Sequence, residues 1–314
     1  MLNADNYTAD LERLLASSSS RTPHELFGAA TDDFWLWLNT EGYRQSLQLQ
    51  EMLPGLPSDY YQLAVASLTG DATLKRAYSI YKLFRTLIEK HHKSVSECDA
   101  LLDFGCGWGR ITRFFLKDID GQKVWGIDQW KELVEQAKQL TSRCQFLHVE
   151  QEPPTEFSSD MFDVVFSYSV FSHIDEDQHK RWLAEFKRIL KPGGLLLATT
   201  WERDHIPFLE TVCKQETSSW EDYYNRALQQ RFPGTAKALA QYDAGEFFHI
   251  DLGYPTYPTS GETCIPKKYV YKEWGKSFTI LDYIDDRSVC QQDVIIARNE
   301  TSYRSRLRSL ITPW

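Results

Sequence analysis

The chain has 314 residues, a net charge of −9, and 42% hydrophobic and 25% charged residues. That composition is ordinary for a globular protein, and the length suffices for one large domain or two small ones. The acidic balance argues against a broad nucleic-acid or anionic-membrane surface, and no apolar run approaches the roughly 18–20 residues that a membrane helix needs.

The N-terminus, Met-Leu-Asn-Ala-Asp-Asn, has neither a basic n-region nor an apolar h-region, so it does not read as a secretory signal. Residues 1–98 read as a mostly helical extension. Ser17 to Ser20 form a short polar run, Phe34-Trp-Leu-Trp-Leu38 is a dense apolar patch, and Leu53-Pro-Gly-Leu-Pro57 marks a break. From Leu74 to Ile88, apolar residues at 74, 77, 78, 80, 81, 84, 87 and 88 predict an amphipathic helix. Six cysteines (98, 106, 144, 213, 264 and 290) are scattered, with no Cys-x-x-Cys pair and no zinc spacing. Together with the missing signal, this reads as reduced thiols in a cytoplasmic protein.

Residues 99–110, Asp-Ala-Leu-Leu-Asp-Phe-Gly-Cys-Gly-Trp-Gly-Arg, carry the most information. An apolar run ends in Asp103, and glycines follow at 105, 107 and 109. Glycine permits a sharp turn and a close backbone approach to a ligand. Arg110-Ile-Thr-Arg-Phe-Phe-Leu116 reads as a helix whose N-terminus would offer unpaired N–H groups. From Ala100 the pattern alternates strand and helix. Strands are expected at 100–105, 123–128, 145–149, 162–167 and 195–200, with amphipathic helices at 130–140 and 182–190 between them. Lys191-Pro-Gly-Gly194 reads as a tight turn. Continuous apolar strands separated by amphipathic helices imply a parallel sheet covered on both faces. Two more strands, at 278–285 and 293–298, bring the total to seven. Residues 201–277 break the rhythm, being longer than an ordinary connection and rich in aromatics. They read as a lid over the C-terminal edge of the sheet, where open α/β sheets bind ligands.

Asp128 ends the second strand about 20 residues after the loop, the place from which a carboxylate holds the two hydroxyls of a ribose. A helix N-cap is the structural alternative. The loop is Gly-x-Gly-x-Gly, not the dinucleotide Gly-x-Gly-x-x-Gly. A carboxylate at Asp103 would repel a pyrophosphate and suits the ammonium of a methionine moiety. Both points favour S-adenosylmethionine over a nicotinamide dinucleotide.

Four segments in this order resemble the class I S-adenosylmethionine-dependent methyltransferases: Leu101–Arg110, Gly126-Ile-Asp128, Phe162–His173 and Arg188–Leu197. The resemblance covers 99–200, and Gln292-Asp-Val-Ile-Ile296 is similar to the family's antiparallel last strand. It implies an α/β, Rossmann-like methyltransferase core with a mostly parallel seven-stranded sheet, the last strand antiparallel. The resulting divisions are a helical extension (1–98), a cofactor-binding core (99–200), a lid or substrate region (201–277), and final strands with a tail (278–314). It also implies that Gly105, Cys106 and Gly107 lie against the cofactor, with Asp103 near its amino group. Asp128 would hold the ribose and Gln129 would flank the adenine. Glu150 stands where the family often places an adenine contact, and Ser167 and Tyr168 would lie beside the methyl group.

Methyl transfer is mainly in-line positioning of a nucleophile, and a hydroxyl nucleophile also needs a base. His173, after the fourth strand, is one candidate. Structurally it leads into a helix capped by Asp175, with Gln178 completing a capping box. His249, on the lid, is the rival, with Asp251 placed to orient its imidazole. The run His173, Asp175, Glu176, Asp177, His179 reads as an acidic helix start favoured by the helix dipole, not as a metal site. Tyr254 and Tyr257, among prolines, are candidates to line the substrate site. The expected activity is O-methylation of a hydroxyl on a sugar or natural product, a small-molecule acceptor, with neither nucleic acid nor membrane as partner. The alternatives are a protein or peptide N-methyltransferase and a catalytically silent cofactor-binding module.

Overall fold

Helices come first, as the N-terminal pattern predicts. In the computed structural model, which describes residues 4–16, 22–215, 221–253 and 260–300, the chain divides into two units, Met1–Val149 and Glu150–Trp314. The first unit opens with α1 (Ala4–Ala16), α2 (Pro23–Phe27), α3 (Asp32–Asn39), α4 (Glu41–Gln45), α5 (Leu47–Met52), α6 (Asp59–Ala66) and the long α7 (Gly70–His91). Thr22 and Glu25 form a reciprocal capping box at α2, and the Thr31 side chain accepts from the Phe34 amide at the start of α3. The predicted stripe of α7 is buried from Leu74 to Ile88. Within the 34–38 patch, Trp35 and Leu38 are fully out of water, and the Trp35 indole donates to the Phe114 carbonyl at 3.1 Å.

The unit closes with β1 (Leu101–Phe104), β2 (Val124–Asp128), α8 (Lys131–Leu140) and β3 (Gln145–His148). The β1–β2 and β2–β3 pairs are both parallel. The segment read as a helix at 110–116 is instead a turn followed by a 3-10 helix, Thr112–Lys117. All six of its residues are buried, so its side chains are committed in several directions at once, which an amphipathic α-helix does not provide. Thr112 turns to Asp103 (2.6 Å). Arg113 donates to Asn39 Oδ1 at 3.3 Å, to the Gly55 carbonyl at 2.9 Å and to the Pro54 carbonyl. Burial lowers the Arg113 pKa to about 10, which still leaves it charged at neutral pH.

The second unit holds β4 (Phe162–Ser167), α9 (Glu176–Ile189), β5 (Leu190–Thr200), α10 (His205–Cys213), α11 (Glu221–Arg231), α12 (Thr235–Ala244), β6 (Phe248–Asp251), β7 (Gly261–Cys264), α13 (Lys267–Glu273), β8 (Thr279–Ile284) and β9 (Asp293–Arg298). β4 and β5 are parallel, and β9 runs antiparallel to both of its neighbours, β5 and β8. The seven-stranded sheet has the order β3-β2-β1-β4-β5-β9-β8, the expected mostly parallel α/β arrangement. Lys191–Gly194, read as a turn, already belongs to β5. The Gly193 amide pairs with the Asn299 carbonyl at 2.6 Å, and the β4–β5 register shifts between Phe162 and Val164 to absorb the kink. Gly193 has φ +84°, so the bulge needs a residue without a Cβ.

The long interval after β5 builds a core of its own. Ile206, Leu209 and Val212 of α10, Ala227 and Leu228 of α11 and Ala238 of α12 cluster with Phe248, Ile250 and Cys264 of the β6–β7 hairpin. Trp201, Tyr224, Phe232 and Tyr242 pack against this cluster, so many of its aromatics are core. The hairpin is fastened to the end of β5 by the Ile265 amide, which donates to Thr200 Oγ1 at 3.2 Å. No disulfide joins the six cysteines, and among the described residues no helix is long and apolar enough to cross a membrane.

Candidate functional site

In the first unit, the glycine loop is shaped by backbone conformation. Gly105, Gly107 and Gly109 have φ of +78°, +56° and +80°, values that residues with a Cβ rarely adopt. The Gly105 and Cys106 amides both donate to the Ile127 carbonyl, at 2.8 and 3.1 Å, which binds the loop to the end of β2. The Gly107 amide donates to Asp128 Oδ2 and the Trp130 amide to Asp128 Oδ1, each at 2.8 Å. Asp128 therefore ties the loop to the entry of α8 through an Asx turn. It is not the helix N-cap, a position that Trp130 occupies. Gly126 explains itself in space: a Cβ there would come within 2.9 Å of Cys106 Sγ and 2.7 Å of the Phe146 ring.

Asp103 is buried, and its carboxyl accepts from the Thr112 hydroxyl. Burial raises its pKa to about 7, with Asp128 adding to the rise and Thr112 and Arg110 opposing it. The Asp128 carboxyl is also raised by burial, against the pull of its backbone donors. A cationic group beside Asp103, as the ammonium of S-adenosylmethionine would be, would relieve the cost of charging it. Each Asp128 oxygen has a lone pair beyond the one its amide uses, so it can still accept from ribose hydroxyls. The buried Trp108 indole N–H has no partner among the described residues. The carboxylates and loop conformation thus fit that cofactor. Gln129 is half-buried, with its carbonyl 3.2 Å from His148 Nε2.

In the second unit, Glu150 is exposed. Ser167 ends β4 fully buried, and its hydroxyl has no partner among the described residues. Tyr168 follows it, also buried. Tyr254 and Tyr257 lie outside the described residues.

The two rival histidines share one strand, β7. His173 Nδ1 lies 2.9 Å from the Gly261 carbonyl, and His249 Nδ1 lies 2.7 Å from Thr263 Oγ1. The strand is held beside residues 172–174 by the Gly261 amide on the His173 carbonyl (2.6 Å) and the Thr263 amide on the Ser172 carbonyl (2.9 Å). Asp251 does not orient His249. It accepts from Arg231 at 2.8 Å and from the Gly253 amide at 2.6 Å. The hairpin register sets His249 opposite Thr263 and Asp251 opposite Gly261, so the cross-strand neighbour takes the imidazole. Burial lowers the His249 pKa below the ordinary histidine value.

Sequence reasoning missed a buried polar set beside them. His205 Nε2 lies 2.8 Å from Glu262 Oε2, and the Tyr224 hydroxyl donates to Glu262 Oε1 at 2.9 Å. The His205 ring stacks on Trp201 at 4.1 Å. The Glu262 pKa is lowered despite complete burial, because His205, His173 and Tyr224 stabilise the carboxylate. Asp175 caps α9 through the Gln178 amide at 2.8 Å, while the Gln178 side chain turns to the Gln151 carbonyl, also at 2.8 Å, and does not close a capping box. His179 is enclosed by the rings of Phe171, Phe247, Tyr269 and Trp274. Its Nε2 accepts from the Trp274 indole at 2.7 Å, and burial lowers its pKa to about 3.

With this geometry in place, comparison with known proteins gives the class. Residues 102–198 match the methyltransferase domain family. Malonyl-(acyl-carrier protein) O-methyltransferase of Halalkalibacterium halodurans is 31% identical over 129 residues, 40% of this chain and 47% of that protein. The 2-methyl-6-phytyl-1,4-hydroquinone methyltransferase of Synechocystis is 32% identical over 107 residues, 33% of this chain and 32% of that protein. The match thus spans less than half the length of either relative. The crystal structure of PH0226 protein from Pyrococcus horikoshii OT3 shares the fold, with a TM-score of 0.51 and 17% identity over 79% of this chain and all of that one. Residues 102–198 are a methyltransferase domain of the class I, Rossmann-like kind that uses S-adenosylmethionine.

Proposed function

We propose that the chain methylates a small or medium-sized molecule, and that the accepting atom is a hydroxyl oxygen of a sugar or natural product. The cofactor half of this reading rests on Asp103 and Asp128 flanking the glycine loop. In it, Asp103 holds the ammonium, Asp128 the ribose, Gly105, Cys106 and Gly107 the cofactor's flank, and Gln129 and Glu150 the adenine, with Ser167 near the methyl group and Tyr168 on the acceptor side. S-adenosylmethionine would supply a methyl group already activated on a sulfonium.

The observation that carries the hydroxyl half is that His173 and His249 each engage β7 through Nδ1. A carbonyl only accepts, so His173 carries a proton on Nδ1, and the neutral ring then has its lone pair on Nε2. An imidazole in that state takes a proton from a neutral hydroxyl as its oxygen becomes a nucleophile. The relatives' names, one a malonyl-(acyl-carrier protein) O-methyltransferase and one a 2-methyl-6-phytyl-1,4-hydroquinone methyltransferase, support a small-molecule acceptor. Cysteines that form no disulfide suit the cytoplasm.

Incubation with methyl-labelled cofactor and separate panels of hydroxyl, amine and carboxylate acceptors tests the reading. Label in the hydroxyl panel supports it. Label confined to amines or to protein would point to an N-methyltransferase, and tight cofactor binding without transfer to any acceptor would point to a silent module.

A further inference from the structure

We infer that Thr263 fixes the tautomer of His249, leaving His249 Nε2 as the nitrogen that receives the acceptor's proton. This rests on the methyltransferase reading above and chooses between its two histidines. Thr263 Oγ1 donates to the Ile174 carbonyl at 2.8 Å. A threonine hydroxyl has a single proton, and a carbonyl can only accept. With that proton committed, Oγ1 can meet His249 Nδ1 at 2.7 Å only as an acceptor. His249 therefore carries its proton on Nδ1 and a bare lone pair on Nε2.

That lone pair is buried and has no partner among the described residues. An unmet buried polar atom is costly, and a ligand's O–H or N–H would recover that cost. His173 makes the same kind of Nδ1 bond, but its Nε2 is not a buried atom lacking a partner. The groups that face His249 electrostatically are Asp175 before α9, Asp251 on β6, Glu262 on β7 and His173. The three carboxylates favour the imidazolium and so support proton uptake, whereas burial and His173 oppose it. Gly261 makes the arrangement possible, since a Cβ there would come 2.8 Å from His249 Cε1 and overlap the Ile250 carbonyl. Thr263 touches no reacting atom in this scheme and is a positioning residue. The acceptor O–H proton passes to Nε2, and the oxygen's electron pair forms the O–CH3 bond. The C–S electron pair stays on sulfur, and the resulting imidazolium keeps its Nδ1–H bond to Thr263.

Two-bond proton–nitrogen NMR spectra of the 15N-labelled full chain, with His249 assigned by its loss in His249→Gln, give a readout that needs no acceptor. The expected result is a bare Nε2 and protonated Nδ1 in the native chain, tautomer exchange in Thr263→Val, and restoration in Thr263→Ser. In turnover on the accepted hydroxyl panel, His249→Gln lowers kcat by about 100-fold or more. Thr263→Val lowers it less and shifts the pH profile, with KM for cofactor unchanged, and Thr263→Ser recovers it. An Nε2–H tautomer in the native chain, or a Thr263→Val spectrum identical to it, overturns the inference. So does a bare Nε2 with full turnover in His249→Gln. Calorimetry with S-adenosylmethionine keeps the two levels apart: no cofactor binding by the native chain defeats the methyltransferase reading, whatever the imidazole spectrum shows.

Discussion

The glycine loop of the first unit and the histidine cluster of the second solve different problems with different material. The loop is a backbone device. Three positive φ values and one carboxylate holding two amides determine its shape, and its side chains are mostly small. The cluster is a side-chain device. His173, His205, His249, Glu262 and Thr263 come from four places on the chain, and the atoms they meet set which ring nitrogens face a donor or an acceptor. A methyl donor that is already activated needs a fixed cradle, whereas a neutral acceptor needs a proton removed. The contrast between rigid backbone and tuned imidazole matches that division of labour.

Asp128→Ala should have the largest effect. It removes two charge-assisted bonds to backbone amides, each worth about 1.5–3 kcal/mol, and, on the proposed reading, the hold on the ribose with them. Affinity for S-adenosylhomocysteine should fall by roughly 100-fold or more, measured by titration calorimetry, while the imidazole spectrum of His249 stays unchanged. A tenfold loss or less would mean that the loop keeps its shape without the carboxylate.

His179 tests whether a histidine of the second unit can be wholly structural. Its pKa is about 3 in the fold against 6.5 outside it. The unfolded chain therefore binds a proton that the folded chain refuses between those values. This contribution to stability is complete above pH 6.5 and is lost as pH falls toward 3. The loss reaches about 5 kcal/mol at most. His179→Gln does not titrate, so its deficit in urea midpoint relative to the native chain should be greatest near neutral pH and shrink on acidification. A deficit constant with pH would show that His179 titrates in the fold as it does in the unfolded chain.

The cradle was legible because it is contiguous. Asp103, the three glycines and Asp128 follow a strand, a turn and the next strand, so spacing alone brings them together. The reading of 110–116 as a helix failed because every side chain there is buried, Arg113 included, and periodicity cannot distinguish a segment enclosed on all sides. In the second unit, His249 and His173 stood out as residue types, yet Thr263, Glu262 and His205 did not. Their partnership depends on the register of a hairpin whose strands are separated by residues 252–260, and no turn signature specifies that register. Gly261 was unremarkable until its neighbours were known.

Asp103→Asn has a smaller, electrostatic consequence. With its pKa near 7, Asp103 is partly protonated just below that pH and must charge to meet an ammonium. Cofactor binding there should release protons, seen as a dependence of the calorimetric enthalpy on buffer ionisation, and the Asn variant should abolish that component. Equal proton release in both would place the ammonium elsewhere.

The smallest effect is expected from Asp251→Asn, and it sharpens the comparison most finely. Sequence spacing made Asp251 the orienting partner of His249, and in that case the Asn variant would randomise the tautomer as Thr263→Val does. In the structure Asp251 is exposed, paired with Arg231, and acts on His249 only through space. Removing its charge should lower the His249 pKa slightly and leave the Nδ1–H tautomer and the turnover of the hydroxyl panel intact. Two substitutions on opposite strands of one hairpin thus separate a bond from a field. If Asp251→Asn and Thr263→Val gave the same spectrum, the imidazole would be held by charge, and the cross-strand hydroxyl would be a bystander.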